Sequence, residues 1–78
     1  MQSSKKKTHG FAVCVDNDGY AVALEVRKLY PVLSDPKAEA QSLIRVIDES
    51  GEDYLYPIQF FKKVKLPADL VRALKIAS

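Results

Sequence analysis

Residues 53–66 read DYLYPIQFFKKVKL. Tyr54, Tyr56, Pro57, Phe60 and Phe61 fall within eight positions of this stretch, and the order of the residues around Pro57 decides the fold. Proline has no N–H to give to a central ladder, so a strand running through YLYP (54–57) ends there. IQFF (58–61) then reads as a single 3₁₀ turn. KKVKL (62–66) restarts as a short strand. Upstream, LIRVID (43–48) alternates as a half-buried strand does. ESGED (49–53) is a tight turn centred on Gly51, so the two runs form a β-hairpin with a four- or five-residue loop. Its tip is acidic, carrying Asp48, Glu49, Glu52 and Asp53.

Working outward, FAVCV (11–15) is apolar and partly β-branched, which predicts a strand. Asp16-Asn17-Asp18-Gly19 is turn chemistry, because Asn and Asp bond their own backbone and glycine accepts a positive φ. Residues 20–33 read as a second extended region. There Leu24, Val26 and Lys28 alternate with Glu25, Arg27 and Leu29, and the phase slips at 27–29, which predicts a bulge or bend. In SDPKAEAQS (34–42), Asp35 is placed to cap and Pro36 to open a helical turn. From Pro67 onward, PADLVRALKIA sets Leu70, Val71, Leu74 and Ala77 on one stripe of a helix. Five short strands in so few residues predict a closed or nearly closed barrel, since closure removes exposed edges.

At 78 residues, the chain suffices for one domain, with a thin core that claims most large apolar side chains. The single cysteine, Cys14, cannot make an internal disulfide, and a reducing cytoplasm is the expected setting. No apolar run approaches the roughly 18–20 residues of a membrane span, and no signal peptide is read. Lys5, Lys6 and Lys7 account for three of the 12 Lys/Arg, and the remaining nine face all ten Asp/Glu. The basic charge therefore belongs to the start of the chain. The expected organisation is a disordered basic tail (1–9), a barrel (10–66) and a helix packed on it (67–78).

With this order of elements the chain resembles an SH3-type barrel, in which a hairpin strand leads into an apolar–Pro–x–x–aromatic–apolar segment. The matching residues are Tyr56, Pro57, Ile58, Gln59, Phe60 and Phe61. The resemblance spans about residues 11–66. It implies a mainly β fold, an SH3-like five-stranded barrel, here extended by a short C-terminal α-helix. It also implies a groove walled by Pro57 and Phe60, with Tyr56 and Phe61 pointing inward and Tyr20 as a further wall. The chain departs from those domains in having no tryptophan and a lone tyrosine in FAVCVDNDGY, which argues against polyproline as the ligand. The run IRVIDESGEDYLYP (44–57) also resembles a group of small uncharacterised bacterial proteins, which implies a cytoplasmic bacterial source and no activity.

The residues argue against catalysis. His9 is the only histidine and falls in the expected tail, and Cys14 on an apolar strand reads as a small core residue. No phosphate loop, nucleophile elbow or dinucleotide fingerprint is present. The spacing of Asp16, Asp18, Gly19 and Glu25 partly mimics a calcium loop, but its first position is Cys14, a poor ligand for a hard cation. No cofactor or metal is expected. Two binding classes remain. One is a protein or peptide partner gripped by Tyr20, Tyr54, Pro57 and Phe60, since aromatic rings contribute large contact area. The other is RNA or DNA held by Arg27, Lys28, Arg45, Lys63 and Lys65 together with the lysine tail. A monomer or weak homodimer is expected, with no membrane partner.

Overall fold

The computed structural model describes residues 8–77. They form five strands and two helices in the order β1 (Thr8–Cys14), β2 (Leu29–Leu33), α1 (Pro36–Ala40), β3 (Leu43–Ile47), β4 (Asp53–Pro57), β5 (Phe61–Val64) and α2 (Ala68–Ala77), with a 3₁₀ turn at Ile58–Phe60 between β4 and β5. The strands make one antiparallel sheet in the order β4-β3-β2-β1-β5. Among the described residues no ladder joins β4 to β5, so the sheet is open and not a hydrogen-bonded closed barrel. Within the expected tail, Thr8 already belongs to β1, and residues 1–7 lie outside the described part.

The register sets which side chains share a face. Ala12 lies opposite Tyr30, Val32 opposite Val46, Ile44 opposite Tyr56, and Cys14 opposite Phe61. These eight, joined by Leu24 and Phe60, are the main core. Each fully buried aliphatic side chain there contributes about 1.5–3 kcal/mol. Pro57 ends β4 as the sequence predicts, and the 3₁₀ turn swings Phe60 back beneath the sheet, where its carbonyl accepts from Val15 N at 2.8 Å.

The expected extended region at 20–33 is corrected. Only Leu29–Leu33 is strand, and residues 15–28 form a long loop of turns. The Tyr20 carbonyl accepts from both Ala23 N (3.0 Å) and Leu24 N (2.9 Å), which coils the chain locally. The phase slip has a definite cause. Arg27 sits at φ 75°, in the left-handed region, and its N–H reaches back to the Cys14 carbonyl at 2.7 Å. Non-glycine residues reach that region at a cost of about 1–2 kcal/mol, here offset by the buried end of the loop.

Helix α1 forms where its caps allow it. The Asp35 side chain accepts from Ala38 N at 3.2 Å and Pro36 occupies the first turn. Ala38 is buried, along with Leu33 and Phe11. In helix α2 the side chains are described only as far as Ala73, and the expected packing of its stripe, which includes Leu74 and Ala77, lies in part outside the described residues. Ala68, Asp69, Leu70, Arg72 and Ala73 are exposed, Leu70 at 41%, and Val71 is half-buried.

Candidate functional site

The loop 15–28 and the β3–β4 turn meet at one end of the sheet, the end marked by the pairs Val13–Leu29, Cys14–Phe61 and Ile47–Asp53. Two tyrosine hydroxyls hold them. Tyr30 OH donates to Glu49 Oε2 at 2.5 Å and accepts from Glu25 N at 2.7 Å, so one hydroxyl joins the turn to the loop. Lys28 Nζ lies 2.6 Å from the same Glu49 oxygen, and Glu49 N donates to the Ala23 carbonyl at 3.0 Å. One position over, Tyr56 OH donates to Asp48 Oδ2, while Asp48 Oδ1 accepts from Ser50 N (2.9 Å) and Ser50 Oγ (2.6 Å). Asn17 Nδ2 closes the base of the loop on the Leu24 carbonyl at 2.9 Å. Gly51, at φ 86°, makes the tight reversal that a side chain would strain.

These bonds set the acidities. Burial pushes the Asp48 carboxyl up, but the hydrogen bonds from Ser50 and Tyr56 outweigh it and hold Asp48 below the ordinary carboxylate range. Glu49 is held low chiefly by Lys28 and then by the Tyr30 hydroxyl. The two phenols, Tyr30 and Tyr56, move up through burial and through donating to those carboxylates.

Above this clasp the aromatic residues separate into two groups. Tyr56, Phe60 and Phe61 are buried, Phe60 at 7% exposure. Tyr20 at 44% and Tyr54 at 50% remain open to solvent. Tyr20 stands edge-on to Tyr56 (ring centroids 5.0 Å) and to Phe60 (6.0 Å), so its position is fixed by the core beneath. Tyr54 OH donates to Glu52 Oε1 at 3.3 Å. Pro57 is half-buried at the far end of β4. Of the four residues expected to grip a partner, Tyr20 and Tyr54 therefore offer open ring surface. Phe60 acts from beneath as a core residue and not as an open groove wall, because the 3₁₀ turn rotates it inward.

The five basic residues are not gathered into one face. Arg45 is clamped on both sides, its Nε 2.7 Å from Asp35 Oδ2 and its Nη1 2.9 Å from Asp53 Oδ2. Lys28 is paired with Glu49, and Lys63 Nζ lies 3.8 Å from Glu39 Oε2. Arg27 is exposed on the loop, whereas Lys63 and Lys65 lie on and just after β5, toward the opposite end of the sheet.

The charge is divided along the strands. The loop 15–28 and the turn 48–53 hold seven of the ten carboxylates of the chain, against Arg27 and Lys28. At the other end, marked by Thr8, Leu33 and Val64, a depression of about 390 Å³ is lined by Gly10, Phe11, Val32 and Val64 and flanked by Lys63 and Lys65. Cys14 is buried, and burial pushes its thiol up, away from the thiolate that a nucleophile requires. Among the described residues no three His, Cys, Asp or Glu side chains are grouped to hold a metal ion, and no helix is long and apolar enough to cross a membrane.

Sequence reasoning missed the roles of Tyr30 and Glu49, whose partnership spans 19 positions and leaves no local trace. It also missed Val22, which stands 96% exposed at the apex of the loop. No family model matches the chain, and no curated protein or solved structure matches it either.

Proposed function

We propose that the chain is a small SH3-like β-barrel that serves as a cytoplasmic, non-catalytic protein-binding module, with Tyr20 and Tyr54 as its exposed anchors and another protein or peptide as its partner. The strand order β4-β3-β2-β1-β5 and the 3₁₀ turn after Pro57 support the SH3-like reading of the fold. The observation that carries the function is the division of the rings. Tyr20 stays half-open to solvent with its ring edge-on to the buried Tyr56 and Phe60, and Tyr54 stays half-open on β4 with its hydroxyl on Glu52. Rigid aromatic anchors lose little conformational freedom on binding, which is what makes them effective contact residues. Seven carboxylates at the same end favour a partner with basic residues at its rim.

The nucleic-acid reading has less support. Arg45 and Lys28 are already matched by carboxylates, and phosphate would have to displace them. Phosphate-driven binding also weakens steeply with salt. The test of the proposal is capture from lysate of the cells of origin with the wild-type chain and with Tyr20→Ser/Tyr54→Ser. Proteins retained by the wild type, resistant to nuclease and lost with the double variant support the reading. Equal recovery on both chains, or loss on nuclease treatment, overturns it.

A further inference from the structure

Strand β4 ends the sheet order β4-β3-β2-β1-β5, so it has a neighbouring strand on one side only. The register fixes what its free side carries. Asp48 N donates to the Glu52 carbonyl at 3.1 Å, and Ile58 N to the Ser42 carbonyl at 3.0 Å. Bonded pairs alternate with unbonded pairs along an antiparallel ladder. Counting between those two bonds, Val46–Tyr54 and Ile44–Tyr56 are bonded pairs, whereas Ile47–Asp53, Arg45–Leu55 and Leu43–Pro57 are not. The N–H and C=O groups of Asp53 and Leu55 therefore point away from β3, and among the described residues nothing bonds them. Pro57, in the same phase, has no N–H, so the free edge closes there. The two edges of the sheet differ. Strand β5 carries Lys62 and Lys63, with Lys65 just beyond, and such charges keep an edge from pairing. Strand β4 has no lysine, no proline before Pro57 and no break in its register. Its open side chains are Tyr54, on the face of Val46 and Tyr56, and Leu55, 38% exposed on the other face.

We propose that the partner contributes an extended segment that adds to β4 as a further strand of the sheet. This rests on the reading of Tyr20 and Tyr54 as anchors and names the form of the partner they receive. The outward groups of Asp53 and Leu55 are matched in spacing by another extended backbone. The side chains of such a segment alternate across the pleat. One set packs beside Tyr54, on the face where Tyr20 stands edge-on to Tyr56, and the other set packs beside Leu55. The segment is therefore apolar at every second position. Glu52 and Asp53, exposed at the head of the edge, favour Lys or Arg at the end of the segment beside them.

The test pans a random peptide library of about twelve residues, longer than the strand to be matched, against the full chain. The tightest peptide is then followed by amide hydrogen exchange. In the free chain the Asp53 and Leu55 amides are expected to exchange freely, and those of Tyr54 and Tyr56 slowly. Selected peptides are expected to alternate apolar residues, to lack proline at the centre and to carry Lys or Arg at one end. Saturating peptide is expected to slow the Leu55 amide by about tenfold or more. A synthetic chain N-methylated at Leu55 keeps every side chain and every bond to β3, and thermal melts check that it folds. It is expected to bind about tenfold more weakly or worse, as is Tyr20→Ser/Tyr54→Ser. If the tyrosine variant loses binding while the Leu55 amide stays fast and the N-methylated chain binds fully, strand addition is overturned and the anchors stand. A peptide that binds the tyrosine variant as well as the wild type overturns both readings. A library that yields no binder overturns the strand proposal. So does a Leu55 amide that slows with protein concentration in the absence of peptide, since the occupant is then a second copy.

Discussion

At one end of the sheet, where loop 15–28 meets the β3–β4 turn, side chains bond one another across long sequence separations. At the other end, where β5 runs out toward α2, lysines and the first turns of the helix face water. Leu24 and Leu70 show the contrast in a single residue type. Leu24 lies in a segment with no regular structure and is fully buried, while Leu70 lies in a helix and is 41% exposed. Regular structure and rigidity are therefore separate properties here. The loop is made firm by Tyr30, Glu49 and Asn17, not by a ladder. The exposed rings of Tyr20 and Tyr54 belong to this firm end, which favours it as the binding end.

The largest expected effect breaks that comparison at its strongest point. Phe60→Ala removes a ring shared by the core and the base of Tyr20, and is expected to cost about 3–5 kcal/mol in urea unfolding. Leu24→Ala should cost about 2–5 kcal/mol by the same measurement, whereas Leu70→Ser should change stability by less than about 0.5 kcal/mol. Equal costs for the two leucines would mean that the loop is not held as described.

On the outer face, Arg45→Met strips the bonds to Asp35 and Asp53, and is expected to cost about 1–2 kcal/mol, since the pair with Asp35 is largely shielded from solvent. Acid probes the clasp itself. Asp48 and Glu49 are held below their ordinary values in the folded chain, so they contribute stability above the ordinary carboxylate range. That contribution is lost as pH falls through that range toward their depressed values. The phenols of Tyr30 and Tyr56 move the other way. Their contribution is complete below the ordinary tyrosine value of 10.0 and declines above it. A series of urea melts across pH should thus show a plateau with losses on both sides, and Glu49→Gln should flatten the acidic limb. The smallest effect is Tyr54→Ser, expected to shift stability by less than about 0.5 kcal/mol while lowering recovery of the proposed partner.

Much of this architecture is legible in the chain. Pro57 ends a strand because it cannot donate, Gly51 permits the hairpin, and Asp35-Pro36 starts α1, each through chemistry confined to a few residues. The burial of Tyr56 and Phe61 follows from the same segment. Of the loop 15–28, the turn at Asp16–Gly19 was legible and residues 20–28 were not, because Leu24, Val26 and their charged neighbours alternate as a strand does. What overrides the pattern is distant: the Tyr30 hydroxyl on Glu25 N, the Glu49 amide on the Ala23 carbonyl, and a left-handed Arg27. Phe60 was misread as a groove wall for a related reason. Three residues beyond Pro57 it can face inward or outward, and only the course of the 3₁₀ turn decides. The basic residues looked like a patch in sequence because their carboxylate partners, Asp35, Glu39, Glu49 and Asp53, come from other elements.

The central claim is that partners meet the protein at Tyr20 and Tyr54. Its most direct test places a photoreactive benzoylphenylalanine at position 54, and in separate chains at positions 20, 62 and 72, and irradiates each in lysate of the cells of origin. The account predicts protein crosslinks from positions 20 and 54 that share the same partner masses, with little yield from 62 and 72. Crosslinks concentrated at position 62, or equal at all four, would contradict it.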